Sequence, residues 1–95
     1  MDEGTETRHY SIEGRVQGVG FRWFTRKVAE EIGVTGWVRN LPDGTVEAVA
    51  RGTLEQLERF ELRLGEGPPA GRVHRLEVDD AVEGSGLGGP FEIRR

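Results

Sequence analysis

The sequence predicts an α+β fold, a two-layer sandwich in which two helices cover one face of an antiparallel sheet. Three observations carry that expectation. Apolar residues alternate with polar ones in four stretches, recur at helical spacing in two others, and the order reads strand, helix, strand, strand, helix, strand. Gly- and Pro-bearing breaks fall between the stretches, where a chain has to turn.

Arg8 to Gly14 alternates, with Tyr10 and Ile12 on one face and Ser11 and Glu13 on the other, as a half-buried strand does. A short glycine-bearing segment follows. Phe21 to Ile32 places Phe21, Phe24, Val28 and Ile32 on one helical stripe, and Gly33 is positioned to cap its C-terminus. Such a helix is about 18 Å long. Val34 to Asn40 reads as a second strand. Leu41-Pro42-Asp43-Gly44 has turn chemistry, because Pro presets φ and Asp-Gly accepts positive φ. Thr45 to Arg51 then forms a hairpin with the second strand, its small Val46, Ala48 and Ala50 sharing a face over which a helix can pack closely.

Thr53 and Gln56 have capping-box spacing, and Leu54, Leu57, Phe60 and Leu64 mark the face of a second helix, with Gly65 as its stop. Glu66 to Gly71 is a connector. Arg72 to Asp79 is a fourth strand in which Val73 is out of phase with Leu76 and Val78, so a bulge or bend is expected near His74. Glu83 to Pro90 is glycine-rich and is expected to be a mobile loop. Phe91 to Arg94 is a short fifth, C-terminal strand at the sheet edge. Two interleaved βα crossovers in a βαββαβ order give the ferredoxin-like arrangement. Its first and second strands run parallel with the third between them, roughly 10 Å apart.

Gly14-Arg15-Val16-Gln17-Gly18-Val19-Gly20-Phe21-Arg22 links the first strand to the first helix. Three glycines in seven residues let the backbone curl and aim its N–H groups one way. Arg22 arrives where the helix begins, and free N–H groups there already favour an anion. The backbone of Gln17, Gly18, Val19 and Gly20 with Arg22 therefore suits a phosphate-sized dianion. The topology brings Asn40, at the end of the second strand, to the same rim. Taken singly, the glycines read as a turn, Arg22 as a solvated helix arginine and Asn40 as a turn former before Leu41-Pro42. Their convergence on one rim, together with a family resemblance carried by the same residues, favours the binding reading.

Composition narrows the function. The chain is read as one domain over 8–95, preceded by a flexible acidic tail over 1–7, Met1-Asp2-Glu3-Gly4-Thr5-Glu6-Thr7, which has none of the character of a secretory signal. No apolar run approaches the roughly 20 residues of a membrane span. Cysteine is absent, which removes disulfides, thiolate metal sites and cysteine nucleophiles and fits a cytoplasmic setting. The net charge is −4, which opposes general nucleic-acid binding. Yet Arg15, Arg22, Arg26, Lys27 and Arg39 face only Glu30 and Glu31 between Arg15 and Asn40, a local +3 that leaves −7 elsewhere. Such a zone on an acidic protein points to a small anion. Arginine outnumbers lysine twelve to one, and Asn40 is the sole asparagine.

The segment Gly14 to Arg22, with Gly36-Trp37-Val38-Arg39-Asn40 and Asp43-Gly44-Thr45-Val46-Glu47, closely resembles the acylphosphatase family. The resemblance runs from about Arg8 to Phe91 and is strongest from Gly14 to Gly52. It implies the ferredoxin-like fold and hydrolysis of a small-molecule acyl phosphate to a carboxylate and inorganic phosphate. It also implies that Arg22 binds the phosphate and Asn40 orients the attacking water. No departure is seen at either position.

The chemistry is consistent with the residues present. No Ser-His-Asp or Cys-His arrangement is visible, and His9 and His74 are far apart in the sequence and read as surface or strand histidines. An acyl phosphate does not need such a pair. Its leaving carboxylate has a conjugate-acid pKa of about 4, and its own phosphate, with a second pKa of about 6, can take a proton from water. No metal or other cofactor is required, and Glu77, Asp79, Asp80 and Glu83 read as a solvated acidic edge. Trp23 and Trp37 read as packing or rim aromatics. A monomer is expected, without nucleic-acid or membrane partners. Two other functions remain in view: a module of the same fold that senses a phosphorylated metabolite without catalysis, or is the excised domain of a larger carbamoyl-phosphate-handling enzyme, and an RNA-recognition sheet. The latter needs aromatics on its central strands, and Thr45 to Arg51 has none.

Overall fold

The computed structural model describes residues 4–81 and 87–95. Its elements run β1 (Glu6–Arg15), α1 (Phe21–Ile32), β2 (Thr35–Asn40), β3 (Val46–Gly52), α2 (Leu54–Glu66), β4 (Arg72–Asp80) and β5 (Glu92–Arg94). One five-stranded sheet has the order β4-β1-β3-β2-β5. The expected ferredoxin-like arrangement is present, with β3 between β1 and β2 and antiparallel to both. The sheet is not wholly antiparallel. β5 pairs with β2 in parallel, Val38 opposite Ile93, so the added edge makes the sheet mixed. Three residues carry too little pattern to disclose a direction.

The expected tail ends sooner than residue 7. Glu6 and Thr7 belong to β1, paired with Gly52 and Arg51, and Thr7 is buried. Both are polar and so carry no alternation signal. At the other end of β1 the register shifts. Glu13 pairs with Arg75 and Gly14 with Val73, which leaves His74 as the extra residue of a bulge where the phase break falls. The bulge bends β4 just before the glycine loop leaves β1. The expected loop over Glu83 to Pro90 lies in part outside the described residues. Of the rest, Leu87 is buried.

Both helices lie on the face that bears Tyr10, Ile12, Val38, Val46, Ala48 and Ala50, all fully buried. α1 buries a stripe different from the one expected. Phe21, Thr25, Val28 and Ala29 point inward, whereas Phe24 and Ile32 sit at the margin. The Thr25 hydroxyl donates to the Phe21 carbonyl oxygen at 2.8 Å, so a polar residue is buried at no loss of hydrogen bonding. In α2, Leu57, Phe60 and Leu64 are fully buried and Leu54 is largely exposed. The capping box is complete: Gln56 N–H donates to Thr53 Oγ1 at 3.2 Å and Thr53 N–H donates to Gln56 Oε1 at 2.9 Å. Gly65 does not stop the helix. It continues to Glu66, and the N–H of Gly67 bonds the carbonyl of Arg63.

Candidate active site

The glycine loop crosses from the C-terminal end of β1 to the start of α1, with Gly18 at φ 76° and Gly20 at φ 79°. A side chain at either position strains the backbone, so these two glycines are required by conformation. No backbone hydrogen bond outside the helices and strands is donated by Gln17, Gly18, Val19 or Gly20 among the described residues. Gly20 caps α1 with no side-chain hydrogen bond, and the first turn of the helix holds no acidic residue. A helix start left uncapped and free of carboxylates keeps its positive end for an anion.

A cavity of about 210 Å³ opens at this point, lined by Val16, Gly18, Gly20, Phe21, Arg22, Trp23, Asn40 and Ile93. Val16 and Phe21 are buried and form its floor. Of the residues expected from sequence, Arg22, Asn40, Gly18 and Gly20 meet in its lining. Gln17 and Val19 do not. The Gln17 amide donates to the carbonyls of Leu41 and Thr45, both at 2.8 Å, and staples the loop to the β2–β3 turn. Val19 packs against the margin of the core. Their contribution to an anion cradle is therefore confined to their backbone.

The staple has a matching partner in the turn. Leu41 N–H donates to the Thr45 carbonyl at 2.9 Å, and Asp43 Oδ1 accepts from Thr45 N–H and Oγ1 at 3.0 and 2.7 Å. Those hydrogen bonds hold the Asp43 carboxyl below its ordinary pKa. Asn40 directly precedes this hydrogen-bonded turn. Gln17 thus ties the loop that precedes Arg22 to the segment that carries Asn40.

Two polar groups of residues that line the cavity stand out. The guanidinium of Arg22 donates through Nη1 to the Arg94 carbonyl oxygen at 3.2 Å, which orients it from β5. Asn40 Oδ1 is buried and has no hydrogen-bond partner, one of two such side-chain atoms among the described residues, the other being Thr7 Oγ1. An unsatisfied buried acceptor costs about 1–3 kcal/mol, and such atoms are rare enough in folded proteins that each asks for an explanation.

Sequence reasoning missed Val16, Phe21, Ile93 and the Arg94 carbonyl as parts of the site. Val16 and Phe21 were visible only as apolar flanks of the loop. Ile93 and Arg94 depend on β5 entering parallel to β2, which no local pattern discloses. Trp23 stands as a rim aromatic, 56% exposed, with the Lys27 ammonium 5.1 Å from its ring centre. His9 and His74 stay outside the cavity, and among the described residues no group of three His, Asp or Glu side chains could hold a metal.

Residues 8–93 match the model of the Acylphosphatase family. An acylphosphatase of Koribacter versatilis is 48% identical over 87 residues, spanning 92% of this chain and 79% of that protein. One from Thermococcus kodakarensis is 57% identical over 70 residues, spanning 74% of this chain and 77% of that protein. The structure of an acylphosphatase from Coxiella burnetii superposes with a TM-score of 0.89 at 37% identity, covering 97% of this chain and 95% of that one. With its fold and nearly its whole length matched, the chain belongs to the acylphosphatase family.

Proposed function

We propose that this chain hydrolyses acyl phosphates to a carboxylate and inorganic phosphate, with Arg22 and the glycine loop holding the phosphate and Asn40 orienting the attacking water. One observation carries the reading: a cation, two positive-φ glycines at an uncapped helix start, and an asparagine with a buried, unpartnered amide oxygen line one cavity. In this role the N–H groups from Gln17 to Gly20 and the Arg22 fork take the non-bridging phosphate oxygens. The Asn40 oxygen accepts a hydrogen bond from water and sets its line of approach.

The reaction balances without a protein acid or base. The water oxygen bonds to phosphorus as the P–O bond to the acyl group breaks, and the carboxylate leaves with the electron pair. The water proton passes to a phosphate oxygen, whose second pKa is about 6. With a leaving group of conjugate-acid pKa about 4, no proton has to be delivered to it. What remains for the protein is positioning and charge neutralisation.

Hydrolysis of benzoyl phosphate in the presence of EDTA tests the reading. Turnover well above the uncatalysed rate, unaffected by the chelator, is the expected result. Phosphate binding without turnover would replace it with a module that only binds phosphorylated metabolites.

A further inference from the structure

The sheet face turned away from the helices carries a continuous band of side chains that the reaction does not use. On β5, Arg94 Nε donates to Glu92 Oε1 at 3.2 Å. The Arg94 guanidinium lies 4.9 Å from the centre of the Trp37 ring, and that of Arg39 lies 5.2 Å from the same ring. Arg39 Nε donates to Glu47 Oε1 at 2.7 Å, and Glu47 Oε2 meets His9 Nε2 at 2.7 Å. The band therefore runs from β5 across β2 and β3 to β1.

β5 needs such a strap. It is three residues long and pairs with β2 alone, in the parallel sense, which is the weaker pairing per residue. Yet two of its residues bear on the cavity: Ile93 lines it, and the carbonyl of Arg94 accepts from Nη1 of Arg22, which lines it too. A guanidinium is a rigid planar fork, so fixing one nitrogen constrains where the other donors point. The Arg94 side chain lies on one side of the sheet while its carbonyl holds Arg22 at the cavity.

We infer that Arg94 and Trp37 are positioning residues for Arg22: their cation–π contact on the far side of the sheet anchors β5, so that the Arg94 carbonyl fixes the guanidinium in the phosphate cavity. The inference rests on the reading of Arg22 as a phosphate ligand. Arg94 acts through its backbone oxygen, and its side chain serves to hold that oxygen in place. A cation over an aromatic face is a directional contact, stronger for an indole than for a phenyl ring.

The test uses Arg94→Ala, Arg94→Lys and Trp37→Phe in the full chain, reading the inhibition constant of inorganic phosphate, KM, kcat and Tm. Arg94→Ala is expected to raise the phosphate inhibition constant and KM together by about fivefold, with a smaller change in kcat, and Arg94→Lys to recover part of the loss. Trp37→Phe, which keeps an aromatic ring, should fall between them and serves alone if Arg94→Ala does not fold. Phosphate binding by the Arg22→Gln variant should not respond to the Arg94 substitution, because no guanidinium is left to position. A lower Tm with phosphate affinity at its wild-type value, or an equal loss with and without Arg22, overturns the inference. Undiminished phosphate binding in Arg22→Gln itself would overturn both the inference and the site assignment beneath it.

Discussion

Arg22 is suited to this cavity in a way that lysine is not. Its planar fork can hold the Arg94 carbonyl with one nitrogen while the residue lines the cavity. Arg22→Gln removes the charge and the fork together. It is expected to weaken phosphate binding and to lower kcat/KM by about 100-fold or more, read from phosphate inhibition and benzoyl phosphate turnover. Retained phosphate affinity would show that the anion sits elsewhere. At this scale much was legible in the sequence. An arginine after a glycine run and a sole asparagine stand out by type, and positive φ at Gly18 and Gly20 is a demand that only glycine meets without strain. The side chains of Gln17 and Val19 were not legible. Their destinations, the β2–β3 turn and the core margin, are set by tertiary packing and not by neighbours in the chain.

The elements show where local signals suffice and where they fail. The start of α2 was readable because Thr53 and Gln56 satisfy each other's backbone across three residues. Thr53→Ala should lower stability by about 1 kcal/mol with kcat/KM unchanged, measured by urea unfolding and steady-state turnover. An unchanged unfolding midpoint would show that the cap contributes nothing. The end of α2 was misread at Gly65, since glycine inside a helix weakens it by only about 1 kcal/mol and Leu64 packing holds that turn in place. In α1 the buried stripe included Thr25 and Ala29, which a search for large apolar residues passes over. β5 was readable as a strand but not as a parallel one, and with its direction went the contributions of Ile93 and Arg94 to the site.

Across the whole molecule, polar contacts tie distant segments, and they make stability depend on pH at both ends. Tyr10, the only tyrosine, donates its hydroxyl to Glu61 Oε2 at 2.9 Å, joining β1 to α2 beside the Arg8–Glu61 pair at 2.6 Å. Burial, reinforced by the Glu61 carboxylate, pushes the phenol well above its ordinary value of 10.0. The folded state therefore binds this proton more tightly than the unfolded state, and stability declines as pH rises past 10.0. Phenolate absorbance should stay absent through that range and emerge only with loss of circular dichroism. Ordinary titration in folded protein would contradict the buried contact. Glu47 gives the opposite limb. Burial alone would raise its pKa, but hydrogen bonds from His9 and Arg39 outweigh that and hold it below the usual 4.5. Its stabilising contribution is present above that value and disappears as pH falls through the lowered one. The urea midpoint should drop on acidification below pH 4.5, and less so in Glu47→Gln.

The topology of the first six elements was legible because two periodicities and the rule that crossovers are right-handed leave few ways to join them. That topology carries Asn40 to the rim of the glycine loop. If Asn40 has the proposed role, Asn40→Ala should lower turnover by about 100-fold, because it removes the oxygen assigned to orient the water and leaves Arg22 and the glycine loop in place. The decisive measurement is the affinity of Asn40→Ala for inorganic phosphate. It is expected within about threefold of the unsubstituted protein. A loss as large as that of Arg22→Gln would place Asn40 on the phosphate and contradict its role with water.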